Sequence, residues 1–272
     1  MSMDINRTMN SKPTIVLVPG AWLPTTAYEA YLSALEQEGY PTLAISYPSF
    51  DPTNPATADV AQDSRSIHGI LAHLINNEEK HVVLVMHSYG GMPGSSAAKG
   101  LSVSSRREAG LRGGIIGLIY IAAFVVSEGG TCIGMTSGKL ASWILNDTPR
   151  FGLNIPSDPV RMFKHGFGSR EAIALGASCK PHATLAFTSA QPPSAIGGDD
   201  DSNAWKDRLV YIVTRRDDEV SAISQFATIE SLKRGCLIKE MAEAGHMSPF
   251  GGQFLEQSMK LFRESVKAFR ED

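Results

Sequence analysis

The chain reads as an α/β protein: a mostly parallel sheet of six strands with helices on both faces and a cap inserted late in the sequence. Three observations predict this. Short apolar runs rich in β-branched residues recur along the chain, helical patterns separate them, and the alternation fails over one long stretch rich in Gly, Pro and Ser.

The elements follow in order. "TIVLV" at 14–18 is a continuous apolar run that breaks at Pro19 and Gly20, as a strand buried on both faces does. In the segment "TTAYEAYLSALEQEGY", Tyr28, Tyr31, Leu32 and Leu35 share a helical face; Thr25 or Thr26 is placed to cap the helix and Gly39 to end it. "TLAIS" at 42–46 is the second strand, and Thr57 is placed to cap a second helix carrying Val60, Ile67, Ile70, Leu71, Leu74 and Ile75. The third to sixth strands are "HVVLVM" at 81–86, "GIIGLIYIAAF" at 114–124, "RLVYIVT" at 208–214 and "CLIKEM" at 236–241. Helical patterns follow the last two. Between the fourth and fifth strands, residues 127–205 hold two short helical patterns, "DPVRMFKHGF" and "SREAIALGASCK", and an acidic run Asp199-Asp200-Asp201 that reads as a solvated loop tip. This stretch is the expected cap, and 1–126 with 206–272 the expected core.

Composition excludes several classes. Of 272 residues 43% are hydrophobic and 19% charged, with a formal net charge of -3, so the chain can bury a core and carries no bulk bias toward polyanions. Nucleic acid is not an expected partner. Cys132, Cys179 and Cys236 are odd in number and form no C-x-x-C pair, which argues against a disulfide framework or a zinc site and for a reducing, cytoplasmic compartment. The opening "MSMDINRTMNSKP" has no apolar core of a secretory signal, and no later apolar run has the length of a membrane span.

Chemistry concentrates where strands end. Ser88 lies at the carboxyl end of a central strand and just before a helix, where open α/β sheets place their ligands. A serine nucleophile needs a base, a group to orient that base, and donors for the developing oxyanion. His246, in the loop after the sixth strand, is the candidate base. Asp217, directly after the fifth, is the candidate acid, with Glu128 in reserve. The backbone N–H groups of Ala21 and Tyr89 are the candidate oxyanion donors. Each feature has an ordinary reading as well: a serine at a turn, a surface histidine, and Asp217, Asp218 and Glu219 as the solvated start of a helix. The order Ser, Asp, His is what raises the combination above its parts. Trp22, Leu23, Trp143, Phe163 and Phe167 are candidates for an apolar pocket. His68, His73, His81, His165 and His182 show no metal-ligand spacing.

With "IVLVPGAW", "HSYGG", "KPHATLAFTSA", "YIVTRRDDEVS" and "AGHMSPF" in place, the chain resembles the α/β-hydrolase superfamily over nearly its whole length. Within it, the likeness is to the small cofactor-free group of plant methylesterases, hydroxynitrile lyases and microbial hydrolases. The resemblance implies the α/β-hydrolase fold in its six-stranded form, Ser88 as nucleophile, Asp217 as acid, His246 as base, and Ala21 and Tyr89 as oxyanion donors. Two positions depart from the pattern: Met86 stands at the first glycine of G-x-S-x-G, and Pro19 where histidine is usual. Gly20 and Met247 stand where the lyases carry threonine and lysine, which disfavours cyanohydrin cleavage.

The reading that results is a serine hydrolase of a carboxylic ester, lactone or thioester of a small apolar molecule, working through an acyl-serine. It needs neither metal nor cofactor. The expected partner is a small molecule, with no membrane or nucleic acid; a homodimer is left open. Two alternatives stand beside it, a carbon–carbon bond hydrolase of a diketone and a ligand-binding protein on a hydrolase scaffold.

Overall fold

A computed structural model describes residues 12–136, 138–196, 204–232 and 235–269. In chain order the elements are β1 (Thr14–Val18), α1 (Glu29–Gln37), β2 (Thr42–Ala44), α2 (Val60–Asn76), β3 (His81–His87), α3 (Gly91–Ala97), α4 (Val103–Glu108) and β4 (Gly114–Ile121). Then come β5 (Ile144–Asn146), β6 (Leu153–Pro156), α5 (Ser169–Ser178), β7 (His182–Ala183), α6 (Thr184–Thr188), β8 (Leu209–Thr214), α7 (Ala222–Ser231), β9 (Cys236–Met241) and α8 (Leu255–Ala268).

The main sheet has six strands in the order β2-β1-β3-β4-β8-β9, and every pairing is parallel. This is the α/β-hydrolase fold. β1, β4 and β8 are buried throughout and β3 from Val82 onward, whereas the edge strands β2 and β9 are largely open on one side. Continuous β-branched runs therefore occupy the centre, where each fully buried Val, Leu or Ile contributes about 1.5–3 kcal/mol. The chain runs one way from β1 to β2 and the other way from β3 onward. Right-handed crossovers then place helices on both faces, and α1 packs with α8 while α2 packs with α3. The reversal leaves a crevice at the carboxyl ends of β1 and β3.

The strands predicted from sequence are found, with the second ending at Ala44 and the fourth at Ile121. The predicted caps are not. A 3-10 turn over Thr25–Tyr28 precedes α1, and neither threonine caps a helix; Asp59, not Thr57, caps α2, its carboxylate accepting from the Gln62 N–H at 2.6 Å. A chain that enters through Pro24 spends its first turn changing direction, and Asp59, directly before the first residue of α2, is where a side-chain acceptor reaches the free N–H groups. Gly39 does end α1's turn, at φ 81°.

Between β4 and β8, β5, β6 and β7 form a separate antiparallel sheet that sequence periodicity does not reveal, because its strands are too short to show alternation. It is stitched to the core beyond β2. Ala183 N–H donates to Ser49 O, Asp51 N–H to Pro181 O, and Lys180 N–H to Trp22 O, each at 2.9 Å. The acidic run 199–201 lies outside the described residues. All three cysteines are free, and no helix among the described residues is long and apolar enough to cross a membrane.

Candidate active site

Ser88 follows β3 directly and sits at φ 51°, the left-handed region that a non-glycine residue occupies at a cost. The turn is tight because its neighbours close on it. A Cβ on Gly20 would meet His87 Nδ1 at 2.8 Å and the Ser88 Cβ at 2.9 Å, so only glycine lets the loop after β1 approach the turn. Met86, buried completely at the elbow's usual glycine position, is accommodated from the other side. A Cβ on Gly94 of α3 would lie 2.7 Å from the Met86 Sδ, so the space the elbow gives up at 86 is recovered at 94. At the other departure, the loop through Pro19 is held by the Tyr47 hydroxyl, which donates to the carbonyls of Pro19 and Gly20, at 3.1 and 3.0 Å.

Asp217 and His246 are brought together from the loops after β8 and β9. The His246 Nδ1–H donates to Asp217 Oδ2 at 2.8 Å, and both side chains are at most 3% exposed. The carboxylate is otherwise saturated: Oδ2 also accepts from Thr214 Oγ1 at 2.9 Å, and Oδ1 from the N–H groups of Glu219 and Val220 at 2.9 and 2.7 Å. Burial disfavours a charged imidazole. The charge and hydrogen bond of Asp217, with the charge of Glu219 added, outweigh that and hold the His246 pKa above the usual 6.5.

Ser88 and His246 line one cavity with Ala21, Tyr89, Trp22 and Trp143, about 480 Å³ of empty space that is partly open to solvent. No hydrogen bond joins Ser88 Oγ to His246 Nε2. In uncomplexed enzymes such bonds are often long and tighten only around substrate. The walls are aromatic. Trp22 stacks on Phe187 at 5.5 Å, Phe187 on Tyr89 at 5.5 Å, and Trp143 meets Trp22 edge-on at 5.6 Å. The Trp22 indole N–H donates to Asn154 Oδ1 at 2.8 Å, which fastens this wall to β6. Cys132 also lines the cavity, but burial pushes its thiol up to about 12, so it is not a thiolate at neutral pH.

Of the pocket candidates, Trp22 and Trp143 line the cavity, while Leu23 and Phe163 do not. Trp22 turns at φ 64°, which directs the chain so that Leu23 packs into the core, and Phe163 is fully buried against Phe167, edge-on at 5.6 Å. Glu128 is exposed and away from the cavity. Glu219 is not part of a solvated helix start: its side chain is 4% exposed and accepts from Arg161 Nε at 2.8 Å. Atoms of Asp217, Glu219 and His246 able to bind a metal lie within 4.8 Å of one another. Asp217 already accepts from four donors, His246 among them, and Glu219 accepts from the Arg161 guanidinium, so both carboxylates are engaged by the protein's own donors.

Sequence reasoning also missed His87 and Tyr28. Gly20 N–H donates to the Tyr28 hydroxyl at 2.8 Å, and that hydroxyl donates to His87 Nδ1 at 2.7 Å. His87 Nε2–H then donates to the His246 carbonyl at 3.2 Å. One ordered chain thus links the loop carrying Ala21 to the loop carrying His246. Nothing in the spacing of residues 28, 87 and 246 announces it.

Comparison with known proteins agrees with this architecture. A family model for the alpha/beta hydrolase family matches residues 15–255. The chain belongs to the α/β-hydrolase family. It is 31% identical over 139 residues to "Probable hydrolase R7" of Phoma sp., covering 48% of this chain and 52% of that protein. To "Alpha/beta hydrolase nvfD" of Aspergillus novofumigatus it is 33% identical over 123 residues, 45% of this chain and 48% of that one. The chain spans about half the length of these curated relatives. The crystal structure of polyneuridine aldehyde esterase superposes with a TM-score of 0.69 at 20% identity, covering 94% of this chain and 100% of the other, a likeness of fold.

Proposed function

We propose that this chain is a serine hydrolase that cleaves a carboxylic ester, lactone or thioester of a small, largely apolar molecule. One observation carries the reading: Ser88, held at φ 51° at the end of β3, shares a cavity with His246, which is paired at 2.8 Å to the buried Asp217. In this reading Ser88 Oγ attacks the acyl carbon as His246 Nε2 takes its proton. Asp217 holds the ring in the tautomer that leaves Nε2 free and stabilises the imidazolium. The N–H groups of Ala21 and Tyr89 receive the oxyanion; one such donor is worth about 2.7–4 kcal/mol in the transition state. The proton passes to the leaving alcohol or thiol, and a water activated by the same imidazole releases the acid from Ser88. The aromatic wall of Trp22, Trp143 and Phe187 supplies an apolar site for the acyl or alcohol group.

The test is intact mass after treatment with a fluorophosphonate. The native protein is expected to gain one adduct, which Ser88→Ala abolishes and His246→Ala slows by at least ~100-fold. Folded native protein that gains no adduct overturns the reading and leaves the scaffold as a ligand binder.

A further inference from the structure

Glu219 is the one carboxylate in the cavity wall among the described residues, and the proposed reaction does not use it. It is the third residue of an acidic run, and its two predecessors behave as their positions suggest. Asp217 orients the base, and Asp218 faces outward toward His165 at 3.7 Å. Glu219 instead turns inward beside His246, an expensive place for a charge unless something holds it there. That something comes from a different part of the chain. Arg161, from the 3-10 turn Pro159–Phe163, donates to its Oε1 at 2.8 Å and to the Asp218 carbonyl at 3.3 Å, with the guanidinium 4.8 Å from the centre of the Trp143 ring.

The charges around His246 can be placed element by element. Asp217 binds Nδ1 from the loop after β8, and Glu219 stands within 4.8 Å in the same loop. From β3, the His87 ring lies 4.4 Å away, centroid to centroid; burial, then the neighbouring imidazole, depress its pKa and keep it neutral. Arg161 stands behind Glu219. His165 and Asp218 pair on the outer side, and Lys139 lines the cavity from the insertion, where it is exposed. Two anions therefore face the imidazole, and the Arg161 guanidinium beside them is engaged with the outer one. Burial raises the Glu219 carboxyl; His246 opposes that rise, Asp217 adds to it and Arg161 opposes it, so the charges on Glu219 and His246 favour each other.

Resting on the hydrolase reading above, we propose that Glu219 is a positioning residue of the reaction. Held at the cavity wall by Arg161, its carboxylate acts through His246 as a second negative charge, steadying the imidazolium that forms when Ser88 gives up its proton. No bond to Glu219 forms or breaks; the proton moves from Ser88 Oγ to His246 Nε2 and on to the leaving group.

A purely structural Glu219 would only tie the insertion to the core, and Arg161→Gln would then reproduce Glu219→Gln in every respect. The experiment is an NMR titration of His246, assigned by the loss of its signal in His246→Gln, in native protein, Glu219→Gln and Arg161→Gln. It is paired with the pH dependence of kcat/KM on p-nitrophenyl butyrate. Removal of a charge at this distance is expected to lower the His246 pKa by about one unit in Glu219→Gln. The acid limb of kcat/KM should move down by the same amount as kcat falls, and Arg161→Gln, which frees the carboxylate but leaves it in the chain, should lower both values by less than Glu219→Gln does. An unchanged His246 titration in Glu219→Gln, or an equal downward shift in Arg161→Gln, overturns the proposal. Native protein that binds but does not turn over the ester overturns the hydrolase reading, while the titration still decides whether Glu219 acts on His246.

Discussion

The Tyr28 hydroxyl is placed to accept from Gly20 and donate to His87, so Tyr28→Phe removes an atom on which two buried polar groups depend. An unpaired buried donor costs about 1–3 kcal/mol. Tyr28→Phe is therefore expected to lower the urea midpoint by a corresponding amount and to slow fluorophosphonate labelling of Ser88, because the loop carrying Ala21 loses its anchor. Unchanged stability and labelling would show that the Gly20–Tyr28–His87 chain is incidental. Asp217→Asn makes a different prediction at the same scale. It keeps the shape of the buried side chain but removes the charge that raises His246, so under the proposed serine-hydrolase reaction the acid limb of activity should move to lower pH while the maximum rate falls by roughly 10⁴-fold.

At the scale of elements, β3 and α3 meet through Met86 and Gly94. Gly94→Ala adds a helix-favouring methyl, worth up to about 1 kcal/mol, but puts a Cβ 2.7 Å from the Met86 Sδ in a packed interior. The expected outcome is net destabilisation of about 1 kcal/mol or more with Met86 present, and a gain when Gly94→Ala is made in a Met86→Ala background. A double-mutant cycle by urea unfolding checks this; additive effects would mean that the two positions do not share their space. The same interface explains how an elbow lacking its first glycine still closes.

At the scale of the whole molecule, buried groups with shifted pKa values set how stability follows pH, two histidines and an aspartate among them. Burial, then the proximity of His246, pull His87 well below 6.5, and burial pulls His182 down to about 3. Burial pushes Asp63 up to about 6, against hydrogen bonds from Ser49 and Tyr89. Below about pH 6.5 the unfolded chain protonates both histidines and the folded chain does not, so stability present above that pH is lost on acidification. Asp63 runs the other way: between about 3.8 and 6 the folded chain keeps a proton that the unfolded chain has released, and acidification recovers stability. Between pH 7.5 and 5.0 the loss at His87 and His182 is opposed by Asp63 and, in the same sense, by His246 and Glu219, whose pKa values are raised. Asp63→Asn removes one of the opposing groups, so the urea midpoint of the variant should fall further between these two pH values than that of the native protein. An equal change in native protein and variant would contradict the assignment.

By itself the sequence determined the parallel sheet, the positions of its six strands, and the placing of Ser88, Asp217 and His246 at strand ends. Uninterrupted runs such as "TIVLV" and "LVYIVT", alternating with helical patterns, are buried on both faces in a parallel sheet covered by helices, and such a sheet gathers its ligand-binding loops at one edge. Tertiary structure alone decided what depends on contacts between distant segments. Glu219 is buried because Arg161 reaches it from 58 residues away, and Tyr28 matters because β3 places His87 beside it. Met86 is tolerated because α3 offers a glycine, and Leu23 and Phe163 leave the pocket because the chain turns at Trp22 and an aromatic neighbour claims Phe163. Periodicity reports how a residue meets its own strand or helix, whereas a buried charge or a shared void is settled by whichever partner the fold brings opposite it.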